Sequence, residues 1–154
     1  MAVSAAAVRE FLESAKLING VSADRLSRYL FLYEKATKST TTLTGMPGGG
    51  GSDRGAVLAT LADADDDSKR WDAFAKERRK LVKKFINEAE ITNLQKAILV
   101  WRYVACVEWN MIFDLLRNWR DMSESTMYRE HNRALDACAD WVNRTGKYVE
   151  EISK

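Results

Sequence analysis

Several side chains able to recognise DNA recur on one side of a predicted helix near the carboxyl end of the chain. They are Ser125, Tyr128, Arg129, Asn132 and Arg133, and their spacing places them together on a helix surface. Arginine forms paired hydrogen bonds with guanine and asparagine with adenine, while hydroxyl groups bond phosphate oxygens. This pattern predicts a surface suited to double-stranded DNA, with Arg117 and Arg120, in the turn before this helix, as backbone clamps. A solvated helix face of no further function remains the alternative.

Three short amphipathic helices must position these side chains. Thr92 and Ser123 are predicted to cap the first and third helices, and residues 118–122 are predicted to form a turn. The predicted buried stripes are Leu94, Ala97, Ile98, Trp101 and Val104; Trp109, Ile112, Phe113 and Leu116; and Met127, His131, Ala134, Leu135, Cys138 and Trp141 or Val142. Because no stripe can be buried alone, we expect residues 90–154 to form a helix-turn-helix DNA-binding domain.

The amino-terminal part predicts a helical hairpin over residues 1–89. Ser4 caps a helix over 4–18 with the stripe Val8, Phe11, Leu12 and Ala15, and Asn19-Gly20 ends it. Ser22 caps a second helix, to about residue 37, with the stripe Leu26, Tyr29, Leu30 and Tyr33. We expect this hairpin to serve oligomerisation or partner binding, and the fold class to be all-α.

A connection and a long helix complete the predicted hairpin. Residues 39–53 are rich in Thr and Gly and predict a flexible loop; no Gly-Lys-Ser/Thr follows, which excludes a phosphate-binding P-loop. The helix over 54–88 carries a heptad-like seam with alternating steps of four and three residues. Its members are Val57, Leu61, Ala64, Ser68, Trp71, Ala75, Arg78, Val82 and Phe85.

The charge of the chain says little by itself, so its distribution matters. The 154 residues have a net charge of +2, but residues 69–84 carry eight cations against two carboxylates. This stretch is either a solvated helix face or a second phosphate-binding or partner-docking surface. Glu124 and Glu130 count against DNA binding because a carboxylate repels phosphate. With them, residues 117–133 carry four arginines against three carboxylates, a weak positive balance.

No group of residues predicts an enzyme, a cofactor or a metal site. His131 is the only histidine, and a lone helical histidine is typical of a core position. Cys106 and Cys138 fall on apolar helix positions, which predicts reduced core thiols. We find no signal peptide and no apolar run of transmembrane length, so we expect a cytoplasmic protein without a membrane partner.

The carboxy-terminal segments resemble a known family of regulators. Arg102-Tyr103-Val104, Trp109-Asn110-Met111-Ile112, Leu115-Leu116 and the run from Thr126 to Leu135 resemble the sigma-factor region 4-like helix-turn-helix of ArpU/RinA-type phage transcriptional regulators. The loop from Leu43 to Gly50 is similar to one in related phage proteins. The resemblance covers roughly residues 26–140. It implies a DNA-binding regulator that activates late or lytic phage genes in the host bacterial cytoplasm.

Two other functions compete with this one. The protein could be a phage effector that binds a host protein, such as RNA polymerase or a defence nuclease; the weak positive balance and Trp119, in the predicted turn, favour that interpretation. A packaging protein similar to terminase small subunits also combines a helix-turn-helix with an oligomerising helical part. In all three cases we expect a homo-oligomer, with double-stranded DNA and possible contact with host RNA polymerase in the first.

Overall fold

The structure, a computed structural model, describes the backbone of residues 1–42 and 51–154 and the side chains of 1–38 and 55–154. The predicted all-α class is confirmed, because the chain is 85% helical and has no strand within that part. The helices are α1 (Ala5–Thr42), α2 (Gly51–Glu88), α3 (Asn93–Leu99), α4 (Trp109–Trp119), α5 (Glu124–Thr145) and α6 (Val149–Ile152), with a π-helical segment at Val100–Val104. None of the described helices has the length and apolar character needed to cross a bilayer.

The two helices predicted before residue 38 are one helix, so the predicted break at Asn19-Gly20 is wrong. Ser4 caps α1 as predicted, accepting a hydrogen bond from the Ala7 amide at 3.2 Å. A glycine inside a helix costs only about 1 kcal/mol, and a continuous seam of buried and half-buried positions outweighs that cost. Steps of three and four residues connect the buried or half-buried positions Val8, Phe11, Ala15, Ile18, Ser22, Arg25, Tyr29, Leu32 and Ala36.

This seam also corrects the predicted stripe of the second helix. Tyr29 is half-buried, but Leu26, Leu30 and Tyr33 are exposed. Ser22 is buried within α1 instead of capping a new helix. Polar or small residues in the seam, such as Ser22, give no hydrophobic signal. The predicted stripe therefore follows the apolar side chains that flank the seam instead of the seam itself.

The seam of α2 follows the prediction. Its positions from Leu61 to Phe85 are all buried or half-buried, and only Val57 at the beginning is exposed. Arg78 occupies its place in the seam by packing its guanidinium 4.8 Å from the centre of the Phe11 ring and donating to the Ser14 hydroxyl at 2.7 Å. A cation–π contact and a hydrogen bond thus allow a charged residue at a core position.

The predicted loop over 39–53 is wrong at both ends. Residues 39–42 belong to α1 and residues 51–53 to α2. The rest of the predicted loop, including the Gly-rich run, lies outside the described residues.

The chain divides into two compact units at other positions than the predicted boundary between residues 89 and 90. Unit 1 combines residues 1–17 with 77–154, and unit 2 comprises residues 18–76. Unit 1 is discontinuous in sequence because the first turns of α1 pack with the end of α2 and with α5. Phe85 is fully buried there, with its ring 5.3 Å from Phe11 and 5.7 Å from Trp141.

The cysteine prediction holds for one residue of the two. Cys138 is fully buried in the core of unit 1, and burial raises the pKa of its thiol to about 12. Cys106 is only half-buried and lies beyond the π-helical segment with a φ of 55°. The helix ends before Cys106, so its apolar position in the sequence did not predict a core position.

Candidate nucleic-acid interface

In unit 1, α3, α4 and α5 pack around a small core of their own. Its fully buried members are Ile98, Ile112, Leu116 and Met127. Thr92 starts α3 with a capping box, in which its hydroxyl accepts from the Gln95 amide and the Gln95 side chain accepts from the Thr92 amide. Such reciprocal bonds satisfy two amides that a helix terminus otherwise leaves without partners.

The turn before α5 ends at the predicted cap. Ser123 accepts a hydrogen bond from the Thr126 amide at 3.3 Å, and α5 begins at Glu124. Arg117 belongs to the last turns of α4 and Arg120 is its C-cap residue. The prediction that both arginines lie in the turn is therefore correct only for Arg120, since α4 extends to Trp119.

The predicted faces of α5 are confirmed. Its buried side chains include Met127, His131, Ala134, Leu135, Cys138, Trp141 and Val142. All five predicted outward residues, Ser125, Tyr128, Arg129, Asn132 and Arg133, are exposed. Arg117 and Arg120 are exposed as well, so the structure leaves every predicted contact residue on the surface of unit 1.

The exposed residues of α5 differ in the contacts that they make with neighbouring side chains. The Tyr128 ring lies 5.0 Å from the Trp109 ring, which fixes its direction. Arg133 pairs with Glu130 at 3.0 Å, while Glu130 also accepts from Gln95 at 3.1 Å. Within the described part of the chain Arg129 forms no ion pair, and its guanidinium is the most available cation of α5.

Asn132 lies beside a residue that the sequence did not connect with it. The Arg9 guanidinium donates to the Asn132 side-chain oxygen at 3.4 Å, and a shallow groove between the two helices is lined by Ala6, Arg9, Asn132 and Asp136. The bond is long and both residues are exposed, so it restrains Asn132 only weakly. Arg9 adds a cation at this edge of the face, and Asp136 adds a carboxylate.

A buried polar pair supports the face from behind. The Tyr103 hydroxyl and His131 Nε2 are 2.9 Å apart, and the Trp109 ring meets the His131 ring edge-on at 4.8 Å. Burial lowers the pKa of His131 to about 4 and raises that of Tyr103 to about 12. The histidine is therefore neutral at pH 7 and is a core residue, as predicted.

This histidine predicts a loss of stability in mild acid. In the unfolded chain His131 titrates near its usual value of 6.5, whereas in the folded protein its pKa is about 4. As the pH falls from about 6.5 towards 4, the unfolded chain takes up a proton at His131 that the folded protein does not bind. The free energy of unfolding therefore decreases over this range and is highest above it. Between pH 7 and pH 5 we expect the free energy of unfolding to fall by about 2 kcal/mol, as measured by urea denaturation.

The matching variant is His131→Gln, which keeps a polar partner for Tyr103 without titrating in this range. Its free energy of unfolding should be lower at pH 7 but nearly constant between pH 7 and pH 5. An unchanged pH dependence in this variant would assign the effect to carboxylates instead.

Half of the eight cations in the basic stretch of α2 are paired within their own helix. Lys69, Lys76, Lys80 and Lys84 form ion pairs with carboxylates three or four residues away, and Arg78 lies in the seam. Such exposed pairs contribute little to stability, but they reduce the charge available for phosphate. These contacts favour the solvated-face interpretation of residues 69–84.

One feature of α4 was not predicted from the sequence. Met111, Leu115 and Trp119 are 58%, 45% and 58% exposed and follow one another at intervals of four residues. They form an apolar strip beside the buried Ile112 and Leu116, and the Arg120 guanidinium lies 5.2 Å from the Trp119 ring centre. The sequence shows this spacing of four residues, but the pattern of α4 was assigned to the buried stripe that includes Ile112 and Leu116.

Comparison of the chain with protein-family models, with curated proteins and with solved structures found no match.

Proposed function

We propose that the exposed face of α5, together with Arg117 and Arg120, binds double-stranded DNA, and that the protein is a transcription regulator of the phage type that its carboxy-terminal segments resemble. The observation that carries this proposal is the joint exposure of Ser125, Tyr128, Arg129, Asn132 and Arg133 on one face. This face lies at the capped beginning of α5, directly after α4. Activation of late or lytic genes is what the resemblance implies.

Each side chain has a role that its chemistry suits. Arg129 and Arg133 pair with guanine, and Asn132 pairs with adenine in the major groove. Arg133 must exchange its bond to Glu130, and Asn132 its long bond to Arg9, for bonds to bases. Once released, the Arg9 guanidinium is placed to contact phosphate, which adds a cation outside the predicted set.

The remaining members position the helix on the duplex without selecting sequence. The Ser125 and Tyr128 hydroxyls donate to phosphate oxygens, and Arg117 and Arg120 bind phosphates from the α4 side. Tyr128 is already oriented by Trp109, so it loses little side-chain freedom on binding.

The test is selection from a random duplex library with the purified full chain, followed by affinity measurements at several salt concentrations. The three arginines assigned to phosphates, Arg9, Arg117 and Arg120, predict release of about three counterions, so affinity should fall by roughly 40-fold between 50 and 200 mM salt. Selection without enrichment, combined with no salt-dependent binding, would contradict the proposal.

The strip Met111, Leu115 and Trp119 favours a second candidate function, docking on a host protein such as RNA polymerase. Its apolar side chains are suited to a protein partner, since aromatic and methionine side chains are enriched in protein interfaces. Binding through this strip should depend only weakly on salt. The two functions are separable, because the strip lies on α4 and the side chains assigned to bases, Arg129, Asn132 and Arg133, all lie on α5.

A further inference from the structure

Unit 2 is an antiparallel pair of helical segments. Arg25 of α1 pairs with Asp67 of α2 at 3.5 Å, and nearer the helix ends Ala36 and Ala56 line one groove. Residue numbers therefore rise along one segment as they fall along the other. At 1.5 Å per residue each segment is roughly 35 Å long.

The seam between these two segments is too poor to explain a stable unit. Among the described side chains of residues 18–76, those that are buried are Ser22, Ser68 and Ala75, all of them small. The larger apolar side chains of this seam are only half-buried; they are Ile18, Val21, Tyr29, Leu32, Leu61 and Trp71. Two helical segments whose large apolar side chains are only partly buried gain less against the entropy of ordering them than fully packed segments do.

Phe31 and Phe74 are among the large apolar side chains that the hairpin exposes, and four further ones share one flank. Leu26, Leu30 and Tyr33 share a face of α1 through steps of four and three residues, and they are between 49% and 54% exposed. Leu58 of α2 is 61% exposed. The pairing of Arg25 with Asp67 and of Ala36 with Ala56 places it within about one residue of the level of Tyr33. We call these four residues the hairpin patch.

We propose that the hairpin patch binds the hairpin patch of a second copy of this chain, which makes the protein a dimer through a four-helix bundle. Two helical hairpins, each with one apolar flank, form such a bundle when the flanks meet, and a two-fold axis brings identical patches together. With helices about 10 Å apart, the flank covers about 700 Å² per copy, close to the ~800 Å² per partner of a standard interface.

The charges of the two segments select how the copies meet. Residues 18–42 carry four cations and two carboxylates, whereas residues 55–76 carry three cations and five carboxylates. Placing α1 of one copy over α2 of the other therefore joins a positive segment to a negative one. Placing α1 over α1 would join like charges. The favoured dimer has its two-fold axis along the bundle, with every neighbouring pair of helices antiparallel.

Light scattering of the purified full chain tests the proposal directly. The chain has a mass of 17.5 kDa, so the expected particle has twice that mass at micromolar concentration. A monomer, or a ring of many subunits, would overturn the proposal. The proposal does not rest on DNA binding, and the experiment contains no DNA, so the two can fail separately.

Variants assign the interface to the hairpin patch. Leu30→Glu with Tyr33→Glu should give a monomer, because four carboxylates cannot be buried in the contact of two copies. The control is Phe31→Glu, which changes a side chain of similar exposure outside the hairpin patch on the same helix and should leave a dimer. A dimeric double variant, or a monomeric Phe31→Glu variant, would overturn the assignment.

A cross-linking experiment checks the arrangement without relying on a disruptive variant. Chains with Tyr33→Cys and chains with Leu58→Cys, both carrying Cys106→Ser, are mixed and oxidised. A disulfide between the two kinds of chain is expected, because Tyr33 of one copy lies over Leu58 of the other. Disulfides formed only between two Tyr33→Cys chains would contradict this arrangement.

Discussion

Replacing Arg129 and Arg133 together with alanine should lower the affinity for a selected duplex by about 100-fold or more, while leaving the helical content unchanged. Each arginine is exposed and is assigned paired hydrogen bonds to a guanine, and each such pair contributes about 1–3 kcal/mol of discrimination. Loss of both pairs should also abolish the preference for the selected sequence over random DNA. Gel-shift titration and circular dichroism measure the two quantities.

The control removes the same charge from another place on the same unit. Arg144 near the end of α5 pairs with Glu90, and Lys147 follows the helix; both are exposed. Arg144→Ala with Lys147→Ala should weaken DNA binding only slightly, by reducing the long-range electrostatic attraction between the protein and the duplex. Equal weakening by the two double variants would mean that net charge, and not this face, governs binding.

Replacing Phe85 with alanine should destabilise the protein by about 3–5 kcal/mol. The Phe85 side chain is fully buried, and its ring meets the rings of Phe11, Trp141 and Tyr148 edge-on at 5.2 to 5.7 Å. Alanine would leave a cavity among three helical segments that cannot close without moving them. Urea denaturation of the full chain gives the change in the free energy of unfolding.

The control for this prediction is Phe74→Ala, on the same helix. Phe74 is 54% exposed, so its removal should cost less than about 1 kcal/mol. A loss at Phe85 no larger than at Phe74 would show that the core of unit 1 is not assembled around this ring.

Periodicity predicted the helices well wherever the core side chains are large and apolar. The seam of α2 and the inner face of α5 contain enough Leu, Val, Phe and Trp to be found by spacing alone. The seam of α1 instead passes through Ser22 and Arg25, and Gly20 suggested an end between two helices. Its regular steps of three and four were present in the sequence, but they connect positions that hydrophobicity does not reveal.

Some features of the candidate site also follow from the spacing of residues in the sequence, and others do not. Exposure of Arg129 and Asn132 follows from the buried face of their own helix, so one-dimensional spacing was sufficient. The contact of Arg9 with Asn132 joins residues 123 positions apart, and no local pattern encodes such a pairing. For the same reason the sequence did not show that unit 1 includes the first turns of α1.

The ion pairs also required the structure. The cations of residues 69–84 looked like a phosphate-binding stripe when counted, but several are paired with carboxylates on the same helix face. A count of charges ignores the i, i+4 geometry that decides which of them remain available. For the DNA binding that we propose, most of the affinity is therefore expected from the site on α4 and α5.

Hydrogen exchange of the full chain, with and without its selected duplex, tests the proposed DNA-binding surface most directly. We expect slower exchange on binding in residues 117–133, a smaller effect near Arg9, and no change in residues 18–76. Protection confined to the α4 strip around Met111 and Leu115, or to the basic stretch of α2, would contradict the assignment of this face. The absence of any protection would contradict it as well.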